Sequence, residues 1–250
     1  MHQIKKAQQV LLFLDYDGTL TPIAPKPGMA QLSAGAKEIL ARISRHSRFQ
    51  LTIISGRSLA ELKALVGLEN IAYAGNHGLE IESPQGSFIH PAARQFQPLL
   101  REVGKKLREK LAGINGILIE DKGLTLSVHY RLVKETELTR VRQLFCEAIE
   151  CREMKDRLKV TEGKRVLEVR PPVEWDKGKA IQWLLDIYGM QRSLPIFAGD
   201  DVTDEDGFKV LRRVGGISIF VGKDKASSAA DYYLNSPEQL GHWLGKLSQS

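Results

Sequence analysis

Residues 11–21 read Leu11-Leu12-Phe13-Leu14-Asp15-Tyr16-Asp17-Gly18-Thr19-Leu20-Thr21, an apolar run that ends in two carboxylates. A short apolar run bounded by turn residues predicts a fully buried strand. Buried strands rarely end in unpaired acids, because burying a charge without a partner is costly. Residues two apart on a strand face the same side, so Asp15 and Asp17 can converge on one point. A divalent cation and a phosphate would account for both acids, whereas an ordinary strand followed by an Asp-Gly turn is the alternative.

The composition is that of a globular protein, with 250 residues of which 42% are hydrophobic and 26% are charged. This length is enough for one large domain or two small ones. The formal charge of +6 suits an anionic substrate. Lysine and arginine are spread along the chain without a base-stacking motif, which argues against a nucleic-acid partner. No apolar run reaches 18 residues, which argues against a membrane span.

Two cysteines, Cys146 and Cys151, fall in one predicted helix from about residue 134 to 152. Their five-residue spacing places them on different faces of that helix, so a disulfide between them is not expected. The first residues of the chain lack the apolar segment of a signal peptide. These features predict reduced, packed cysteines in a cytoplasmic protein.

The chain on either side of its middle alternates between strands and helices. Strands predicted at 49–54 and 71–74 end in Ser55-Gly56-Arg57 and Gly75-Asn76-His77-Gly78. Such alternation predicts a parallel sheet with right-handed crossovers. Ligands of these sheets bind beyond the carboxyl ends of the strands, where both polar clusters are expected.

The middle of the chain follows another pattern. A helix predicted from about residue 93 to 111 precedes a hairpin at 116–130, then the helix with the cysteines, then a second hairpin at 158–169. This order indicates a separate α+β module. We therefore predict an α/β core with a Rossmann-like parallel sheet at 1–91 and 171–250, and an inserted α+β domain at 92–170.

A second acidic cluster follows the apolar strand predicted at 194–198. It contains Asp200 and Asp201, with Asp204 one helical turn later. If these acids share a sheet edge with the first pair, they require a cation, because like charges that close cannot all stay ionised. Mg²⁺ is the expected cation, since it prefers oxygen ligands and keeps waters that a phosphate can displace. The alternative is that Asp204, Glu205 and Asp206 only cap the next helix, which would leave Asp200 and Asp201 unexplained.

Two further residues are suited to a phosphate. Ser55 ends a strand before a helix, where a hydroxyl and backbone N–H groups can bind an anion. Lys177 lies at a predicted helix start, where a cation opposes the helix dipole unless an anion is nearby. A solvated surface lysine is the alternative for Lys177.

These residues, in this order, resemble the four motifs of the haloacid-dehalogenase-like phosphatases. The motifs are Asp15-Tyr16-Asp17-Gly18-Thr19, Ser55-Gly56-Arg57, Lys177-Gly178, and Gly199-Asp200-Asp201 with Asp204. Longer segments resemble the trehalose-6-phosphate phosphatase family across nearly the whole chain. They are residues 13–23, 75–78, 167–171, 175–179 and 199–206. That family carries a cap domain where this chain has its insertion.

The resemblance implies an Mg²⁺-dependent phosphatase that acts through an aspartyl-phosphate. Asp15 would be the nucleophile, and Asp17 would donate a proton to the leaving group and then activate water. Ser55 and Lys177 would stabilise the phosphoryl oxygens. The metal would be held by Asp15, the main-chain carbonyl of Asp17 and Asp200. Asp201 and Asp204 would lie around this site or serve as alternate ligands.

The resemblance also implies a polar sugar pocket. The expected substrate-binding residues are Arg57, Asn76, His77, Glu120, Lys122, His129, Arg131, Glu168 and Arg170. His129 and Arg131 are predicted to share one strand face, as are Glu168 and Arg170. A solvated face with cross-strand ion pairs is the alternative for the residues of the insertion. His77 could equally be a packed loop residue, and Arg57 could contact phosphate or cap the strand end.

The expected reaction is hydrolysis of trehalose 6-phosphate to trehalose and phosphate. The nearest alternative is a phosphatase for sucrose phosphate or a mannosylglycerate phosphate, which would share the core motifs and differ in the cap. A non-catalytic sugar-phosphate sensor is disfavoured, because no expected catalytic position is substituted. The expected partner is a small sugar phosphate rather than nucleic acid or a membrane, and the chain is expected to be a monomer.

Overall fold

The computed structural model of the chain describes residues 2–149, 157–189, 193–223 and 228–249. The described residues divide into two compact units. The core unit lies within Met1–Phe88 and Trp175–Ser250, and the inserted unit lies within Ile89–Glu174. The boundaries predicted from the sequence, 1–91 with 171–250 and 92–170, stay a prediction.

The described strands and helices alternate in the core unit and cluster by type in the inserted unit. The strands are β1 (Gln9–Asp15), β2 (Phe49–Ile54), β3 (Ala72–Gly75), β4 (Glu80–Ser83), β5 (Gly86–Ile89), β6 (Leu118–Asp121), β7 (Leu126–His129), β8 (Lys159–Gly163), β9 (Val166–Arg170), β10 (Ser193–Gly199), β11 (Ile217–Val221) and β12 (Tyr232–Leu234). The helices are α1 (His2–Lys6), α2 (Ala34–Arg45), α3 (Leu59–Val66), α4 (Pro91–Gln95), α5 (Gln97–Leu111), α6 (Leu138–Ile149), α7 (Lys177–Tyr188), α8 (Glu205–Arg213) and α9 (Pro237–Leu247).

The core unit is built on a sheet with the strand order β12-β11-β10-β1-β2-β3-β4-β5. Strands from β12 to β3 are parallel, and β4 runs antiparallel to β3. The predicted α/β class with a parallel sheet is therefore confirmed. Strand β1 lies between β10 and β2, which brings the ends of three predicted motifs to one edge of the sheet.

Apolar packing on both faces of β1 explains its unbroken apolar sequence. Val10, Leu12 and Leu14 belong to the hydrophobic cluster on one face, and Leu11 and Phe13 belong to the cluster on the other. All five side chains are completely buried. A parallel strand covered on both faces needs apolar residues at every position, which is what this stretch supplies.

The inserted unit pairs a four-stranded antiparallel sheet, in the order β6-β7-β9-β8, with α5 and α6. Leu126 and Val128 of β7 pack into the apolar cluster with Val103 and Phe145 of the helices. The single helix predicted from about residue 93 is instead α4 followed by α5. Pro98 explains the break, because a proline is tolerated in the first turn of a new helix and not in the interior of a longer one.

Two sequence predictions concern membrane-spanning helices and the cysteines. In the described residues, no helix is both long and apolar enough to cross a membrane. Cys146 carries a free thiol, as predicted, but it is exposed, so the prediction that it packs in the core is wrong. Its position in α6 places it away from the stripe formed by Val141, Phe145 and Ala148. Cys151 lies outside the described residues.

Candidate active site

The carboxyl ends of β1, β2 and β10 meet at one edge of the sheet. Leu14 of β1 lies beside Ala198 of β10, and Asp15 lies beside Ile54 of β2. Asp200 follows the end of β10 and Ser55 follows the end of β2, so both adjoin Asp15 in the fold. The convergence expected from the sequence therefore follows directly from the strand register.

A close approach at Gly18 brings the Asp200 carboxylate to the end of β1. The backbone of Gly18 has a φ of 90°, and a Cβ atom added there would lie 2.1 Å from Oδ2 of Asp200. Only glycine fits such a contact and such a φ without strain. The Asp-Gly turn therefore not only ends the strand but also leaves space for a second carboxylate.

Three carboxylates gather at this edge. Asp15, Asp200 and Asp204 each offer one oxygen, and these oxygens all lie within 4.8 Å of one another. Asp15 and Asp204 are 4% and 0% exposed. Among the described residues, Oδ2 of Asp15 is buried without a hydrogen-bond partner, which is costly for a carboxylate oxygen. This oxygen and the close carboxylates together fit the donor set of a hard divalent cation.

Lys177 bridges two of these acids. Its Nζ donates to Oδ1 of Asp15 and to Oδ1 of Asp204, each at 2.7 Å, and its side chain is 3% exposed. Lys177 is the first residue of α7, where the N-cap Asp176 accepts the N–H of Lys179 at 2.8 Å. The neighbouring carboxylates account for a lysine at a helix N-terminus, so the surface alternative for Lys177 is wrong.

Burial and neighbouring charges change the pKa values of both Asp15 and Lys177. Burial raises the pKa of the Asp15 carboxyl well above its ordinary value, and the Lys177 ammonium opposes that rise. Burial by itself would lower the pKa of Lys177, but the carboxylates of Asp15 and Asp204 hold it above its ordinary value. Among the described residues, three carboxylates thus meet one ammonium at this edge, and the cluster is suited to accept a further cation.

Asp204 and Asp201 also shape the loop after β10. Oδ2 of Asp204 accepts the N–H groups of Asp200 and Asp201, both at 3.0 Å. Oδ1 of Asp201 accepts the N–H of Val202 at 2.7 Å, and Asp201 and Asp204 form a reciprocal capping box. Asp204 therefore both joins the acidic cluster and fixes the loop that carries Asp200. Asp201 thus also has a capping role, which the sequence did not predict for it, and its place beside the metal stays a prediction.

Asp17 and Arg57 form an ion pair. Nε and Nη2 of Arg57 donate to the two carboxylate oxygens of Asp17, both at 2.7 Å. Nη2 also donates to the carbonyl of Pro27 at 2.8 Å, and Nη1 donates to Glu61. The guanidinium is almost completely buried and lies over the Tyr16 ring at 5.3 Å. Arg57 thus contacts both the Asp17 carboxylate and the loop after β1.

The loop between β3 and β4 lies against the loop that follows β2. Its residues Asn76 and His77 have positive φ values of 49° and 57°. Their N–H groups donate to the carbonyls of Arg57 and Ser55, at 2.7 and 2.9 Å. A Cβ atom added at Gly56 would lie 2.7 Å from the His77 ring, so this ring packs directly on Gly56.

The predicted sugar-binding residues of the inserted unit lie on or next to its sheet. His129 Nε2 and Glu120 Oε2 are 2.7 Å apart on neighbouring strands. Glu168 is 7% exposed, and its carboxylate lies 3.4 Å from Lys122 Nζ and 3.9 Å from Arg170 Nε. Leu126 and Val128 face the helices, so Ser127, His129 and Glu168 belong to the opposite, polar face.

Arg131 does not lie on the strand face that the sequence predicted for it. Strand β7 ends at His129, so the prediction that Arg131 shares its strand face is wrong. Arg131 lies in the turn that follows and donates from Nη2 to the carbonyl of Lys164 at 2.8 Å. The carbonyl of Tyr130 accepts the N–H of Val133 at 3.2 Å, so the chain turns directly after the strand.

Two acids that hold the loops of the site were not predicted from the sequence. Glu61 pairs with Arg57, and Glu80 accepts both the N–H of Leu59 and the amide of Asn76. The four-residue spacing from Arg57 to Glu61 gave no clear signal, since Arg57 precedes α3 and such pairs are expected only within a helix. No local pattern identifies Glu80, because its partners are up to 21 residues away.

The chain is similar in sequence to known phosphatases. A model of the trehalose-phosphatase family matches residues 13–238. A trehalose 6-phosphate phosphatase of Zea mays is 39% identical over 260 residues, which cover 97% of this chain and 71% of that protein. Trehalose-phosphate phosphatase B of Arabidopsis thaliana is 36% identical over 255 residues, which cover 97% of this chain and 67% of that protein.

Solved structures show the same likeness. The C-terminal domain of a C. albicans trehalose-6-phosphate phosphatase superposes with a TM-score of 0.82 at 27% identity, covering 99% of this chain and 94% of that one. A haloacid dehalogenase-like hydrolase of Bacteroides thetaiotaomicron superposes with a TM-score of 0.65 at 18% identity, covering 96% of this chain and 99% of that one. The second comparison concerns the fold alone.

Proposed function

The chain belongs to the trehalose-phosphatase family, and from that premise we propose that it hydrolyses trehalose 6-phosphate to trehalose and inorganic phosphate. The observation that carries the proposal is the family match over residues 13–238, a range that includes the Asp15–Lys177–Asp204 bridge at the strand ends. An ammonium held between two carboxylates beside a third suits phosphoryl transfer, in which charge on the phosphoryl oxygens must be neutralised.

We propose Mg²⁺ as the cofactor of this site. The orphaned Oδ2 of Asp15 and the close carboxylate of Asp200 fit a hard cation with oxygen ligands. By the family pattern, Asp15, the main-chain carbonyl of Asp17 and Asp200 would hold it, with Asp201 and Asp204 close by. When bound, the ion would neutralise charge on the phosphoryl group and orient it for in-line attack.

The Gly18→Ala variant tests whether the approach of Asp200 matters for activity. The added Cβ would lie 2.1 Å from Oδ2 of Asp200, so the carboxylate must leave its place beside the end of β1. We expect kcat/KM to fall by roughly 100-fold, the cost of about 1 Å of misplacement, and more Mg²⁺ to be needed for half-maximal rate. Gly28→Ala is the control, since nothing lies within 4 Å of its added Cβ. Unchanged Mg²⁺ dependence in Gly18→Ala would contradict the proposed role of Asp200.

The proposed chemistry proceeds in two steps. The Asp15 carboxylate attacks phosphorus, the bond from phosphorus to the sugar oxygen breaks, and Asp17 gives that oxygen a proton. Water then loses a proton to Asp17 and attacks the aspartyl-phosphate, which releases phosphate and restores Asp15. Lys177 and the Ser55 hydroxyl would stabilise the charge on the phosphoryl oxygens in both steps.

The ion pair with Arg57 places a condition on this chemistry. Both carboxylate oxygens of Asp17 accept N–H groups from Arg57 at 2.7 Å. Proton transfer to a sugar oxygen requires one of these oxygens to face the substrate. We therefore propose that Asp17 rotates away from Arg57 when substrate binds.

We propose that the inserted unit recognises the sugar through the polar face of its sheet. The proposed contacts are Glu120, Lys122, His129, Glu168 and Arg170, with Arg131 at the adjoining turn. Carboxylate, ammonium and imidazole groups on one face can donate to and accept from sugar hydroxyls. Glu168 is nearly buried, and acids are seldom buried unless they are paired. Its burial therefore supports a pocket on this face that binds polar groups. Asn76 and His77 were the expected contacts from the core unit.

A hydrolysis panel tests the substrate and the metal together. We expect phosphate release from trehalose 6-phosphate to exceed release from sucrose phosphate and a mannosylglycerate phosphate by at least roughly 100-fold in kcat/KM, because unpaired buried polar groups penalise the wrong sugar. A chelator should abolish release, and added Mg²⁺ should restore it. Preference for another sugar phosphate would overturn the substrate, and binding without release would indicate a sensor.

We also propose a cellular location, a partner and an oligomeric state. An exposed free thiol at Cys146 supports a reducing, cytoplasmic location, since such compartments keep thiols reduced. The one proposed partner is the sugar phosphate, and the proposed state is a monomer.

A further inference from the structure

A strained loop joins the two groups that the reaction would use to hold phosphate. Asn76, His77 and Gly78 have φ values of 49°, 57° and 89°, so three consecutive residues adopt the left-handed region. Residues other than glycine rarely do so, and such strain persists only where the surroundings enforce it. The surroundings of these residues therefore show what the loop holds in place.

The loop fixes the backbone of Ser55–Arg57 from one side. The N–H groups of Asn76 and His77 donate to the carbonyls of Arg57 and Ser55, and the N–H of Ser55 donates to the carbonyl of Ala74 at 2.9 Å. The Ser55 hydroxyl oxygen accepts the N–H of Arg57 at 3.2 Å. Hydrogen bonds thus fix both the backbone and the side chain of Ser55.

Glu80 holds the loop to the next helix. Its Oε1 accepts the side-chain amide of Asn76 at 2.8 Å and the N–H of Leu59, the first residue of α3, at 2.7 Å. Asn76 is 0% exposed, and a carboxylate at a helix N-terminus is stabilised by the helix dipole. One carboxylate oxygen therefore connects the strained loop to the helix that follows Ser55.

The other side of the loop touches the start of α7. A Cβ atom added at Gly78 would lie 2.2 Å from Cβ of Ala180, and the carbonyl of Gly78 accepts the indole N–H of Trp175 at 2.7 Å. Ala180 lies three residues after Lys177 on that helix. The same short loop thus contacts the elements that carry Ser55 and Lys177.

We propose that Asn76 and Glu80 are positioning residues that set the placement of Ser55 relative to Lys177, and that Asn76 acts on phosphate binding rather than on the sugar. This inference rests on the proposed phosphatase chemistry but not on the identity of the sugar. It assigns Glu80 a role that no sequence motif indicated. It also replaces the expected sugar contact of Asn76 with a contact made through its backbone and Glu80.

The test compares two substrates in four variants. Asn76→Gly keeps the left-handed backbone and removes the amide, Glu80→Ala removes the shared acceptor, and Glu80→Gln keeps an oxygen that can accept both N–H groups. Glu82→Ala is the matched control, since Glu82 lies two residues along β4 and pairs with Lys63 at the surface. The substrates are trehalose 6-phosphate and 4-nitrophenyl phosphate, and inorganic phosphate is the inhibitor.

Asn76→Gly and Glu80→Ala are expected to lower kcat/KM for both substrates by the same factor, about tenfold or more, and to weaken phosphate inhibition in parallel. Glu80→Gln and Glu82→Ala should keep the parental values. A loss confined to trehalose 6-phosphate, or no loss in Asn76→Gly, would overturn the inference. If Glu80→Ala does not fold, Asn76→Gly decides alone, because glycine tolerates the backbone. A parent that cleaves only 4-nitrophenyl phosphate would refute the proposed substrate and leave this test intact.

Discussion

Replacing Asp15 by asparagine is expected to abolish turnover while the protein still folds. The variant keeps the shape of the side chain but loses the nucleophilic oxygen, so no aspartyl-phosphate can form. We expect kcat to fall by roughly 10,000-fold or more, the size of loss that follows removal of a covalent nucleophile. The measurement is phosphate release from trehalose 6-phosphate at saturating Mg²⁺. Asp186→Asn on the solvent side of α7 is the control, and it should keep the parental rate.

The stability of Asp15→Asn separates a lost nucleophile from a lost fold. Burial raises the pKa of Asp15 well above its ordinary value, so its ionised form costs stability once the pH exceeds the ordinary value. The variant removes that cost and leaves Lys177 paired with Asp204. In metal-free buffer at neutral pH we therefore expect its Tm to equal or exceed that of the parent. Retained turnover would exclude Asp15 as the nucleophile, whatever the Tm.

Much of the core unit was predictable because its signals are local. The unbroken apolar run of β1 requires cover on both faces, and such a strand belongs to a parallel sheet. Once the sheet is parallel, Asp15, Ser55 and Asp200 must share an edge, since each follows the end of a strand. The register of β1 with β2 and β10 bears this out. The prediction needed no knowledge of side-chain contacts.

Other features were not predictable because they depend on contacts between distant segments. The pairing of Asp17 with Arg57 joins residues 40 apart, and the bond from Leu59 to Glu80 joins residues 21 apart. Nothing in the local sequence around Arg57 or Glu80 identifies its partner. Arg131 was misplaced for another reason, since the chain turns directly after β7, where the carbonyl of Tyr130 accepts the N–H of Val133. Periodicity identifies elements, but it does not fix the residue at which a strand ends.

Lys177→Met is expected to cost both activity and stability, in contrast to Asp15→Asn. The variant leaves Asp15 and Asp204 buried at 4% and 0% exposure without their shared cation, beside Asp200. Removing one partner of a buried ion pair typically costs about 3–5 kcal/mol of unfolding free energy. The folded-state pKa of Lys177 is raised, so its contribution is fully present below the ordinary lysine pKa and is lost only as pH rises through the raised value. The titration of Lys177 itself should therefore add no pH dependence to the stability difference across neutral pH.

Mg²⁺ should partly offset that loss if the acidic cluster binds it. A ligand that binds only the folded state raises the unfolding free energy by RT ln(1 + [L]/Kd), and in Lys177→Met the cation would relieve repulsion that the lysine relieves in the parent. We therefore expect Mg²⁺ to raise the Tm of this variant more than that of the parent, while kcat stays at least roughly 100-fold lower because the phosphoryl oxygens lack the ammonium. Lys179→Met, exposed on the same helix, should match the parent in both measurements. A variant as stable and active as the parent would show that Lys177 neither neutralises the buried acids nor serves the phosphate.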